Sequence, residues 1–267
     1  MKWTKLGDVD PKELTNARLE LHWAAQIPAA AGETLLPLRP DASHTSLQFT
    51  NGLLAGEPIA SKRAGLRLRD LTLVVLTGDT IAAELPLAKR TLDDGLRFLA
   101  KELGAEKLTR PKHDLPEHAV ANGAAFEGSA QAHYAELERW FENAALAITE
   151  AAKDKANASP VRCWPHHFDI ASLVKLDDIR SIGLGMSPGD STYAEPYFYV
   201  TPWPYPPPEM TLPALRGGVR WNTKGWIGVV LPGSRLVVAE SQEQTVSDML
   251  REGYDASFGL ITPPSAR

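Results

Sequence analysis

The sequence predicts an α+β protein of two similar lobes, each an antiparallel sheet followed by a helix, joined by a long helix. Three observations predict it. Segments of similar pattern recur in the same order at an offset of roughly 150 residues, the signature of an internal duplication. Short β-type runs are punctuated by Gly, Pro and Asp in both halves. A long stretch of helical periodicity separates the halves. The lobes are expected at residues 1–107 and 159–267, with a connector and the long helix at 108–158.

Ala17 to Ile27 places Leu19, Leu21, Trp23, Ala25 and Ile27 on alternate positions, the period of a half-buried strand, although Leu and Ala also permit a helix. Strand-like runs follow at 45–50, 71–76 and 80–85. Thr91-Leu92-Asp93-Asp94 sets a Thr three residues ahead of an acid, a helix start. Leu92, Leu96, Leu99 and Leu103 form one face, and Gly104 stands where the helix should stop. Residues 108–128, with Pro111, Pro116 and Gly123, read as a connector. Tyr134, Leu137, Phe141, Ala144 and Ile148 then recur at three- and four-residue spacing, predicting a helix over about 129–154.

The second half predicts strands at 161–174, 181–185, 196–201 and 226–231, with 236–239 completing a last hairpin. Its helix is expected over 246–258, started by Thr245-Val246-Ser247-Asp248 in parallel with Thr91. Val74-Val75-Leu76-Thr77-Gly78 matches Val229-Val230-Leu231-Pro232-Gly233, and Leu21-His22-Trp23 stands opposite His166-His167-Phe168. Pro202-Trp203-Pro204-Tyr205-Pro206-Pro207-Pro208 should run as a stiff, extended surface loop.

Composition excludes some function classes. With 267 residues, 43% hydrophobic and 23% charged, the chain can bury a substantial core. A net charge of -5 without a Lys/Arg cluster provides no footprint for nucleic acid or an anionic membrane. One cysteine, Cys163, excludes an internal disulfide. With no secretory-type start and no membrane-length apolar run, the expected location is the cytoplasm.

The densest polar cluster is Trp164-Pro165-His166-His167-Phe168-Asp169. If 161–174 is one strand, His167 and Asp169 share a face. An imidazole and a carboxylate so placed can hold a divalent metal or act as a base and its orienting partner. A third metal ligand would come from His22, His44, Asp190 or Glu195 by tertiary contact. The opposing interpretation is a buried His and Asp that only satisfy neighbouring backbone groups. His22 and Gln26, four apart, share a face in helix or strand alike. His113, His118 and His133 read as solvated, and Cys163 as inert. No zinc-protease, Walker, dinucleotide or nucleophile-elbow pattern is present.

Ser159-Pro160-Val161 with Trp164, His166 and Phe168-Asp169-Ile170-Ala171, followed by Met186-Ser187-Pro188-Gly189-Asp190 and Glu195-Pro196-Tyr197-Phe198-Tyr199, resembles a bacterial family known only as a domain of unknown function. Leu21-His22 with Gln26 and the Pro-rich Tyr-containing loop are similar to it as well. The resemblance implies no activity, cofactor or catalytic residue. Where that family carries an Asn-His-Trp-Trp-like run, this chain has Ala42-Ser43-His44-Thr45.

The leading expectation is a cleft between the lobes that binds a small molecule, with or without a divalent metal. It would be lined by His22, Gln26, Trp164, His166, His167, Asp169, Glu195, Tyr197 and Trp203. Whether it performs a reaction stays open. The alternative is a structural or interaction module that docks a partner on the Pro/Trp loop.

Overall fold

A computed structural model describes residues 2–262. Helix and antiparallel sheet are mixed, as expected for an α+β chain, and the chain divides into two compact units that interleave in sequence. The first unit comprises Glu13–Glu142 and Arg162–Asp169; the second comprises Met1–Lys12, Asn143–Val161 and Ile170–Arg267. The expected lobes, by contrast, are consecutive stretches of chain.

In the first unit α1 (Thr15–Leu35) precedes a five-stranded meander: β1 (Gln48–Thr50), β2 (Leu53–Ala55), β3 (Lys62–Arg67), β4 (Thr72–Thr77) and β5 (Thr80–Pro86). The strand expected at 17–27 is therefore the core of a helix. Almost every residue from Glu20 to Gly32 is buried, so no polar face is left to print a 3.6-residue period, and the accidental alternation of large residues looks like a strand. Seven of the 21 residues are Ala or Gly, and six of those are Ala, the best helix former.

The β4–β5 hairpin turns at Gly78 and leads to α2 (Leu92–Leu103), as the sequence indicated. The Thr91 hydroxyl accepts from the Asp94 N–H (3.2 Å), and Asp94 accepts in return from the Thr91 N–H (2.8 Å), a complete capping box. Gly104 closes the helix at φ 72°. Gly95 lets α2 lie close to α1 and β4. A methyl group there would stand 2.6 Å from Ile27 Cδ1 and 3.0 Å from Leu73 Cδ1.

α3 (Gln131–Ala152) is the expected long helix, and Tyr134, Leu137, Phe141, Ala144 and Ile148 are all fully buried. Its residues to 142 belong to the first unit and the rest to the second. Early in α3, Tyr134 donates its hydroxyl to Glu20 of α1. Glu20 also accepts from the Glu127 N–H (2.6 Å), so a buried carboxylate ties three segments. Burial, then the hydrogen bond to Glu20, pushes the Tyr134 phenol far above its ordinary value.

β6 (Arg162–Trp164) also belongs to the first unit, where Leu47 and Cys163 exchange backbone hydrogen bonds of 2.9 and 2.7 Å. The single strand expected over 161–174 does not exist. β6 ends at Trp164, the chain turns through 165–168, and β7 (Asp169–Lys175) begins beyond. Pro165 supplies the fixed φ of a turn's second residue, and the Trp164 carbonyl accepts from both His167 N–H (3.1 Å) and Phe168 N–H (2.7 Å).

The second unit holds β7 from Ile170 onward, β8 (Ser181–Ser187), β9 (Tyr197–Trp203), β10 (Arg220–Asn222) and β11 (Gly228–Pro232), in spatial order β10-β11-β9-β8-β7. A short helix, α4 (Gly233–Leu236), follows β11 directly, and residues 236–239, expected as a strand, are its last residue and the turn that leaves it. At this point the matched first-half segment is the β4–β5 hairpin, so the paired segments take different structures. α5 (Gln242–Ile261) packs on β8, β9 and β11 through Val246, Met249, Leu250 and Gly253. It starts four residues before the expected start at 246. Thr245 caps nothing, and its hydroxyl donates to the Ser241 carbonyl (2.7 Å) inside the first turn. Gly253 admits Val200, whose Cγ2 would lie 2.9 Å from an added methyl.

Gly95→Ala should destabilise the protein by about 1–3 kcal/mol through overpacking against Ile27 and Leu73, despite the gain in helix propensity. Thr91→Ala should cost about 1 kcal/mol through the lost cap. Chemical denaturation of both variants reads these differences directly.

Candidate functional site

Helical spacing brings His22 and Gln26 to one face of α1, one turn apart. Both point at the turn that follows β6. The Pro165 carbonyl accepts from His22 Nε2 (2.9 Å) and from Gln26 Nε2 (2.7 Å), and the second Gln26 amide hydrogen goes to the His22 carbonyl (3.1 Å). A carbonyl oxygen only accepts, so His22 carries its proton on Nε2. Gln26 is fully buried, and its Oε1 has no hydrogen-bond partner among the described residues.

Phe168 fixes the other side of the turn. Its backbone is left-handed, φ 58°, an uncommon conformation for a bulky residue. The ring is fully buried, stacked on His22 (centroids 5.3 Å apart, 12° between planes) and tilted against Phe141 at 5.1 Å. Packing against these two rings holds a conformation that an isolated chain would rarely visit.

The turn presents two imidazoles outward. His166 is half-buried and His167 exposed, with ring centroids 4.3 Å apart. His166 also meets Trp164 edge-on at 6.2 Å and His113 at 5.3 Å. Burial lowers the His22 pKa to about 4 against a raising contribution from Pro165. Burial, then the neighbouring His167 and His113, lowers His166 to about 4 as well. Both rings are neutral at pH 7.

His167 and Asp169 do not share a strand face. His167 is exposed in the turn, whereas Asp169 is buried, the first residue of β7, beyond the left-handed Phe168 that breaks the alternation. Burial, and after it the nearby Asp169, raises the Cys163 thiol well above its ordinary value. Among the described residues no group of three or more His, Cys, Asp and Glu could hold a metal ion.

His44 is buried and structural: Nδ1 accepts from the Arg39 N–H (3.3 Å) and Nε2 meets Glu33 at 3.3 Å. Glu195, Tyr197 and Trp203 belong to the second unit and have their own tasks there. Glu195 accepts from the Ser234 backbone N–H and, at 3.0 Å, from its hydroxyl, stabilising the start of α4. Tyr197 donates to Asp190 (2.6 Å), whose other oxygen accepts from the Thr192 and Tyr193 N–H groups in a turn. Trp203 is 57% exposed at the end of β9, its ring edge-on to Tyr205 at 5.4 Å.

His113 is exposed, as the sequence suggested, and its ring also meets His166. No signal marked that contact because His113 lies in an irregular, Pro-rich connector, where periodicity says nothing about neighbours. Elsewhere, in the second unit, a groove of about 680 Å³ is lined by Trp3, Leu146, Ala147, Leu250 and Tyr254, with the Lys155 ammonium 3.8 Å above the Tyr254 ring. None of the candidate site residues named from the sequence lies there.

No family model, curated protein or solved structure matches this chain. Among the described residues no helix is long and apolar enough to cross a membrane.

The folded pKa of His22 lies below the unfolded value of 6.5, so between pH 6.5 and about 4 the unfolded chain binds more protons. Stability should fall as pH drops through that window, by an amount of order 3 kcal/mol for His22. His22→Phe keeps the stack on Phe168 but removes the donor and the titration. Denaturation against pH should show it about 1–2 kcal/mol less stable at pH 7, with a shallower loss towards pH 4.

Proposed function

We propose that the chain binds a small, uncharged molecule at the turn 165–168 of the first unit, and that the His22–Gln26–Pro165 arrangement exists to present this site. One observation carries the proposal: several neutral polar groups converge on a backbone held in an uncommon conformation. Left-handed conformations of bulky residues persist where surrounding packing over-determines them, and they concentrate at ligand sites. Here the packing on Phe168 comes from His22, the same residue that grips the turn.

The chemistry of the lining selects the ligand class. His166 offers a neutral imidazole, which can accept or donate a hydrogen bond. Gln26 lies fully buried behind the turn and holds the Pro165 carbonyl in place. Trp164, His113 and His166 offer flat faces. A planar molecule bearing an N–H or O–H donor fits these groups, because it bonds the His166 imidazole and stacks on the rings without bringing a buried charge. This site needs neither Asp169 nor Glu195, so the proposal differs from a metal-centred site on His167 and Asp169.

A second reading has its own support. Trp203 at the end of β9 and Tyr205 in the Pro-rich segment just beyond it form an exposed aromatic pair, a surface suited to a protein partner. It predicts that Trp203→Ala alters the species seen by light scattering without affecting small-molecule binding.

A thermal-shift screen of neutral heteroaromatic compounds and divalent metals tests the main proposal. A ligand at a hundred times its dissociation constant stabilises the fold by about 2.7 kcal/mol, roughly 2–4 °C per kcal/mol for a chain of this size. The shift should appear with planar donors and vanish in His166→Ala. Shifts confined to metals, or unchanged in His166→Ala, would overturn the proposal.

A further inference from the structure

Residues 2–7 have no regular secondary structure, yet two buried side-chain amides hold them as a sheet would hold a strand. Asn143 of α3 accepts from the Thr4 N–H (2.9 Å) and donates to the Thr4 carbonyl (2.7 Å). Two residues on, Gln242 at the start of α5 accepts from the Leu6 N–H (2.9 Å) and donates to the Leu6 carbonyl (2.9 Å). The remaining capacity of Gln242 is filled by Trp3 Nε1 (3.4 Å) and the Val237 carbonyl (3.3 Å). Asn143 is fully buried and Gln242 is 8% exposed. Spacing by two selects the same edge of an extended backbone, and Leu6 is buried while Lys5 and Gly7 on either side are exposed.

Contacts of this kind read backbone, with the buried Leu6 as the anchoring side chain. That is how peptide-binding sites combine main-chain hydrogen bonds with pockets for alternate residues. The arm and its neighbour in sequence fall in different units: residues 3–6 belong to the second, whereas α1, the next long helix, belongs to the first. An identical segment from another molecule would present the same backbone and the same Leu, and such exchange of an identical element is a low-cost route to association.

We infer that Asn143 and Gln242 form an exchangeable slot for an extended peptide, occupied here by the chain's own residues 3–6 and open to the same arm of a second copy. In the resting molecule the tethered arm excludes competitors through its high effective concentration. The inference is independent of the site at residues 165–168.

The test uses the full chain carrying Thr4→Pro and Leu6→Pro, which removes both N–H donors so that its own arm cannot dock. A fluorescent peptide of the wild-type sequence of residues 2–8 should bind this variant saturably. Adding Asn143→Ala with Gln242→Ala should weaken binding by about tenfold or more. No binding by a variant with wild-type circular dichroism, or binding indifferent to the two alanines, would overturn the slot. If the proline variant fails to fold, hydrogen exchange on the wild type decides. The Thr4 and Leu6 amides should exchange at least about tenfold faster than those of β9, as a docked segment would, and equal rates would overturn it. Two wild-type populations with different tags, mixed at high concentration, should co-purify. Absence of exchange alongside peptide binding would rule out the second copy as occupant.

Discussion

The Pro165 carbonyl oxygen organises the first unit's polar cluster. It takes two side-chain donors from α1, and each consequence stems from that grip. Because the oxygen can only accept, it sets the tautomer of His22. Because His22 is held there, its ring is placed to stack on Phe168. Because Phe168 is packed against His22 and Phe141, the backbone can stay left-handed between His167 and Asp169, sending one side chain outward and the other inward. A single acceptor thus positions the local backbone, the protonation state of one imidazole and the exposure of its neighbours.

Burial works differently on the polar groups of this protein according to their company. Glu20 and Glu138 are buried carboxylates that stay supplied with donors, from Tyr134 and Glu127 in one case and from Arg69 in the other. Asn143 and Gln242 are buried amides whose geometry is matched atom for atom by a backbone segment. His22 and His166 answer burial by losing charge, since an imidazole can shed its proton at moderate cost near neutral pH. The paired groups fix structure, and the two imidazoles meet burial without an ion pair.

Legibility in the sequence tracks the range of the interactions. α2 is readable to the residue because its capping box and closing glycine act within a few positions. α3 is readable because its five core residues recur at helical spacing along one stripe. α1 misleads for the converse reason: with nearly every side chain from Glu20 to Gly32 buried, the pattern no longer distinguishes a helix from a strand. The strand expected across 161–174 fails at Pro165, a turn signal that is present but outweighed by the apolar runs on either side. His22, Gln26 and the 164–169 run all stand out in the sequence. Their true relationship does not, since the atom joining them is a backbone carbonyl, and backbone oxygens carry no sequence signal.

By itself the sequence determined the mixture of helix and sheet, the ends of α2, the course of α3 and the residue types at the polar cluster. Those depend on propensity, periodicity and capping, which act over distances a short window of chain can span. The tertiary structure alone decided that His167 and Asp169 part company, that His113 joins His166, and that Asn143 and Gln242 hold residues 4 and 6. The last two outcomes rest on ring contacts and hydrogen bonds between segments from about 50 to more than 200 residues apart, and the first on the packing of Phe168 against α1 and α3; such geometry exists only once the chain has folded.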